Sequence, residues 1–205
     1  MRGSHEKRTP PELTDWLALE SPDWQPSYPF PGDIRQPVVD ELWEAQRALC
    51  VYCGRRLDRD RPERIHVEHF RPRSSYPALS VDLANLFLSC GPEEEAGTPS
   101  ETCGHAKGDR FDEAGCIEPE YPACTHRFRF LLSGEVASRS DDDAAVGTMI
   151  KLLNLNHREL RKDREDILDR IDGGSLDFSD FFDPVTKMAE SYAHVVCERL
   201  ATVIP

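Results

Sequence analysis

At 205 residues, 39% hydrophobic and 31% charged, with a mean hydropathy of −0.57, the chain has room for one domain or two small ones around a modest core. No apolar run approaches the ~20 residues of a membrane span, and the polar opening MRGSHEKRTPPELTDW shows no signal-peptide pattern, so a cytoplasmic protein is expected. A net charge of −13 and a pI near 5.0 exclude a grip on nucleic acid by bulk charge.

In chain order, residues 1–36 are rich in proline and aromatics and read as an extended arm laid over the body. The opening MRGSH looks like a cloning remnant and is given no function. PVVDELWEAQRALC predicts a helix starting at Pro37, with Val38, Leu42, Ala45 and Leu49 at helical spacing, running into Cys50-Val51-Tyr52-Cys53-Gly54. RIHVEHF alternates and predicts a short strand, and SVDLANLFLSC approaches a second knuckle. GPEEEAGTPSET predicts an acidic loop between Cys90 and Cys103, and CGHAKGDRFD a helical turn. HRFRFLLSGEVASR predicts a hairpin with its turn at Ser133-Gly134. Two helices follow, the first capped by the aspartates of DDDAAVG, then a break at Gly173-Gly174 and a last helix over about 184–201. This divides the chain into an arm (1–36), a core (37–135) and a helical region (136–205).

Seven cysteines stand at 50, 53, 90, 103, 116, 124 and 197. Without a secretion signal, metal ligation is a better reading than disulfides. Cys50 and Cys53 form a C-x2-C knuckle, and Cys90 with Cys103 is the natural second pair for a tetrahedral zinc. Four thiolates leave no open position, so that zinc is structural, clamping the segment that holds HVEHF. The alternative for Cys90 is a plain buried thiol. Cys116, Cys124 and His126 form C-x7-C-x-H, which lacks an obvious fourth ligand. Cys197, spaced with Ala193, Val196 and Leu200, reads as core.

Between the knuckles, hydrolysis of a phosphodiester needs a base for water and a cation for the charged transition state. Adjacent strand residues diverge, so Glu68 can hold an ion while His69 addresses water. Against this stand two plainer readings, Glu68 paired with an arginine and His66 as an edge-strand histidine. Seven arginines lie between Arg55 and Arg73, a local positive segment in an acidic chain.

CVYCG, VEHFRPRSSYP, DLANLFLSC and CGHAKGDRF, in that order, resemble the HNH endonucleases. More narrowly they resemble the HNH subunits of Septu-type anti-phage systems, also found beside retrons. The likeness runs from about Glu6 to Ile171 and takes in FRFLLSGEV and TMIKLLNLNHRELRKDRE. It implies an α+β fold with a ββα-metal core stapled by structural zinc, and a nuclease that binds DNA and works with an ABC/SMC-type ATPase. It also implies His69 as general base and Glu68 as ligand of Mg²⁺ or Mn²⁺. Asn85 is implied to order the loop bearing the base, and Arg71, Arg73 and Lys107 to lie on phosphates. One departure stands out: glycine occupies position 104, where the pattern has His or Asn. His105 is the expected second ligand, with Asp109 in reserve on the same helical face. The rival readings are a non-catalytic zinc module that binds nucleic acid or protein, and a regulatory protein whose acids shield its arginines.

Overall fold

The computed structural model describes residues 1–91 and 102–205, and the acidic stretch predicted between Cys90 and Cys103 lies almost wholly outside them. Helix α1 spans Pro11–Leu17 and α2 spans Gly32–Ala45. The second was predicted to begin at Pro37, which instead sits inside it. An internal proline costs about 3 kcal/mol. Burial of Ile34, Val38 and Leu42 on one face, at roughly 1.5–3 kcal/mol each, outweighs that.

The MRGSH segment, given no role from sequence, is packed into the body. Met1 and Arg2 are buried, and the amides of Arg2 and Gly3 donate to Tyr52 O and Val51 O at 3.1 and 2.8 Å. The N-terminal residues thus line the back of the first knuckle.

Strands β1 (Ile65–His69) and β2 (Leu86–Cys90) pair antiparallel, with His66 opposite Ser89, Glu68 opposite Phe87 and His69 opposite Leu86. Strand alternation sends His66 and Glu68 to one face and Ile65, Val67 and His69 to the other. Helix α3 (Cys103–Lys107) packs on β2. Gln46, fully buried just after α2, holds β2 from both sides. It donates to Leu88 O at 2.8 Å and accepts from Leu88 N at 2.7 Å.

The predicted hairpin forms as β3 (Phe128–Phe130) and β4 (Val136–Ser138). Helix α4 (Ala144–Leu152) is capped by Asp143, which accepts from Val146 N, and α5 spans Arg158–Asp172. Helix α6, predicted over about 184–201, covers only Ala193–Arg199. Asp183 accepts from Val185 N and the Thr186 hydroxyl, folding the preceding residues into a turn, and Tyr192 at φ 64° cannot continue a helix backwards.

The apolar stripe of α4 and α5 enters this chain's own core. Met149, Leu153, Leu160 and Leu168 join one cluster with Leu13, Leu42, Leu88 and Val195. Among the described residues, no helix is long and apolar enough to cross a membrane.

Candidate active site

The two knuckles meet. The sulfurs of Cys50, Cys53, Cys90 and Cys103 all lie within 4.8 Å of one another, no disulfide forms, and Cys53 Sγ to Cys90 Sγ is 4.0 Å. Thiolates on one tetrahedral zinc, with bonds of about 2.3 Å, would sit about 3.8 Å apart, so the set fits a structural metal. Two backbone amides point at the sulfurs, Cys90 N at Cys50 Sγ (3.4 Å) and Arg55 N at Cys53 Sγ (3.5 Å). Such bonds stabilise thiolate charge. Burial alone would push the Cys50 thiol up, but hydrogen bonds from Cys103, Cys53 and Cys90 hold it well below its usual value. Gly54 closes the knuckle at φ 77°, and a Cβ there would run into the His194 ring. Cys103 takes φ 58°, a region costing a non-glycine residue about 1–2 kcal/mol. Its amide is fixed by Leu153 O at 2.9 Å.

On one face of β1 stands Glu68, buried, with three partners. Its Oε1 accepts from Tyr52 Oη at 3.0 Å and lies 2.9 Å from Lys107 Nζ. Its Oε2 lies 3.2 Å from His66 Nε2. Burial opposes ionisation, but the His66 hydrogen bond and the Lys107 charge leave the carboxyl below its ordinary value. Burial and the Glu68 charge push the Tyr52 phenol well up, so it remains a donor.

His69 points to the other side. Its Nε2 lies 3.0 Å from Ser80 O. A carbonyl can only accept, so Nε2 carries the proton and Nδ1 keeps its lone pair. Burial holds this imidazole below its usual value, in the form a base requires at neutral pH. Asn85 fastens the loop after it: Oδ1 accepts from Arg71 N at 2.7 Å, and Nδ2 donates to Arg71 O at 2.9 Å and Leu79 O at 3.2 Å. Tyr28, from the proline-rich segment, packs edge-on to His69 (centroids 4.7 Å) and beneath Arg73 (4.6 Å).

The remaining expected residues are placed differently. Lys107, expected on phosphate, is 1% exposed and bridges Glu68 to His69 O (3.0 Å). Burial turns its ammonium inward, so it braces the carboxylate. Arg71 is paired with Glu118 at 2.6 Å. Arg55, Arg56, Arg59 and Arg61 are likewise paired, with Asp163, Glu190, Asp40 and Asp58. The arginine segment is therefore largely neutralised by folding, whereas Arg73 has no carboxylate partner among the described residues. His105 is exposed, and its ring meets His66 edge-on with centroids 4.9 Å apart. Asp109 is exposed as well. Cys124 is buried while His126 is exposed, and among the described residues only the four thiols gather as a group of three or more candidate ligands.

Sequence reasoning left His66 as an edge-strand histidine and passed over Tyr52 and Tyr28. For His66 the signal was present, since the i, i+2 spacing to Glu68 on a predicted strand puts both on one face. Tyr52 and Tyr28 carried no comparable signal.

The chain is 28% identical over 174 residues, 80% of each sequence, to the "Retron Vc95 putative HNH endonuclease" of Vibrio cholerae serotype O1 biovar El Tor. It is 45% identical over 49 residues to the Septu protein PtuB of Bacillus thuringiensis, a stretch covering 24% of this chain and 19% of that protein. No protein-family model matches.

Proposed function

From this relation to the HNH proteins of retron and Septu defence systems, we propose that the chain is a metal-dependent endonuclease that cleaves DNA. We place it as the effector of an anti-phage complex with an ATPase partner of the ABC/SMC type. The carrying observation is the fixed tautomer of His69, whose Nε2 is spent on Ser80 O at 3.0 Å and whose Nδ1 is left as a proton acceptor. The order β1, β2, α3 along the chain supports a ββα-metal unit, and the four thiols support zinc as its staple.

In this reading His69 Nδ1 takes the proton of the attacking water, a contribution of about 10²–10⁴-fold. Glu68 and a neighbouring imidazole would hold Mg²⁺ or Mn²⁺. Such an ion supplies charge stabilisation at the phosphate and the leaving oxygen. Tyr52 and Lys107 keep Glu68 ionised and aimed. Asn85 holds the backbone of Arg71, and so the loop that follows the base. Arg73, with no carboxylate partner among the described residues, is available to meet phosphate, consistent with an acidic body that depends on another subunit to bring the DNA.

A second reading has one observation in its favour: both oxygens of Glu68 are already engaged by Tyr52, Lys107 and His66. That suits a zinc-stapled binding module without catalysis. Plasmid cleavage by the chain, alone and with its ATPase, separates the two. The nuclease requires Mg²⁺ or Mn²⁺, stops with EDTA and fails in His69→Ala. Cleavage that survives in His69→Ala would overturn the assignment of the base. Absence of cleavage in every combination would leave the binding module.

A further inference from the structure

We propose that His66, on β1, is the imidazole ligand of the divalent-ion site, taking the part that a side chain at position 104 has in the HNH pattern. The inference rests on the nuclease reading and names the partner of Glu68 within it.

Glycine stands at position 104, where the HNH pattern has His or Asn. A Cβ on Gly104 would lie 2.5 Å from Glu68 Oε2, 2.5 Å from His66 Nε2 and 2.9 Å from His66 Cε1. The space into which a residue-104 side chain would project is thus filled, by an imidazole coming from the strand. The arrangement is pinned from behind. Gly104 N donates to Ser89 Oγ at 3.2 Å, and Ser89 is the register partner of His66. Helix α3, β2 and β1 are therefore locked with a glycine facing a histidine and a carboxylate, and the glycine cannot gain a side chain unless both give way.

The chemistry of the pair agrees. His66 Nε2 and Glu68 Oε2 are 3.2 Å apart, against about 3.0 Å for adjacent ligands of a six-coordinate ion with bonds of about 2.1 Å. His66 Nδ1 is buried with no hydrogen-bond partner among the described residues. Nε2 is the ring nitrogen aimed at Glu68. His105 is the weaker candidate. It is exposed, it touches the ring of His66, and among the described residues Glu68, His66 and His105 do not form a set of ligand atoms mutually within 4.8 Å. Asp109 lies beyond Gly108 and is exposed.

The test is Mn²⁺ binding to the zinc-loaded full chain, by calorimetry and by pulsed electron paramagnetic resonance, which detects coordinated imidazole nitrogen. His66→Ala should weaken Mn²⁺ by about tenfold or more and abolish the imidazole-nitrogen signal, with zinc stoichiometry and melting cooperativity retained. His105→Ala, a surface change, should keep both the affinity and the nitrogen signal. That readout stands even if His66→Ala misfolds. Loss of the nitrogen signal in His105→Ala, or its persistence in His66→Ala, overturns the assignment while leaving the nuclease reading intact. A wild-type chain that binds zinc but no Mn²⁺ removes the assignment and the catalytic-ion reading together.

Discussion

The phenol of Tyr52 donates to Glu68 Oε1 at 3.0 Å, so a residue inside the first C-x2-C knuckle holds the carboxylate of the candidate active site. The four-cysteine cluster and the candidate carboxylate are joined by one hydrogen bond. Tyr52→Phe keeps the ring and removes the donor. A bond to a charged acceptor is worth about 1.5–3 kcal/mol, and Lys107 still holds the same oxygen, so a loss of about 1.5 kcal/mol in denaturant unfolding is expected. Metal content should not change. If the variant loses its metal, Tyr52 shapes the knuckle rather than the carboxylate.

His69→Ala should lower cleavage by about 10²–10⁴-fold with the cysteine metal retained. Initial rates on supercoiled plasmid, alongside elemental analysis of the same samples, check both halves. A rate drop accompanied by metal loss would mean that the variant had unfolded.

Asn85→Ala strands the amide and carbonyl of Arg71. These groups are half-buried, so each left unpaired costs at most about 1–3 kcal/mol, and the loop after His69 should loosen. Hydrogen exchange over residues 70–80 should accelerate well before global unfolding does. Unchanged protection there would show that the loop is held by other contacts.

Stripping the metal should unfold the chain. The apparent free energy of a structural zinc, about 10–16 kcal/mol in small fingers, is as large as the ~5–15 kcal/mol that keeps a domain folded. Cys90→Ser, or a strong chelator applied to the wild type, should therefore abolish cooperative melting by circular dichroism. A chelated chain that melts as before would show the thiols to be metal-free.

Asp143 caps α4 and binds the Arg127 guanidinium through both oxygens, at 2.7 and 2.8 Å. That hydrogen-bonded pairing holds its carboxyl below the usual aspartate value. A depressed carboxyl pKa contributes stability that is present above the unfolded value, about 3.9, and is lost as pH falls through the folded one. Asp143→Asn should therefore destabilise at pH 7 and show a shallower loss between pH 5 and 3, in urea titrations at each pH. Parallel wild-type and variant slopes would contradict it.

Part of this site could be read directly from the residue order. The C-x2-C turn, the alternation of RIHVEHF, the one-turn helix at CGHAK and the aspartate cap before α4 all depend on residues within a few positions of one another. Local spacing determines them. Gly173-Gly174 and Cys197 were legible for the same reason. The extent of the last helix was not, because the Asp183 turn and the left-handed Tyr192 override an apolar spacing that is otherwise helical.

By itself, then, the sequence determined the four thiols, the adjacent carboxylate and imidazole, and the asparagine that follows them, since each is tied to a short motif. Only the tertiary structure decided the partners. Arg71 is neutralised by Glu118 and Arg55 by Asp163, so a run of cations in the sequence is not a positive surface in the fold. Lys107 turns inward to Glu68, and His66 occupies the space that a side chain on Gly104 would need. These pairings join residues far apart in the chain. Burial removes the competing water from them, so through-space position rather than sequence spacing sets which charges meet.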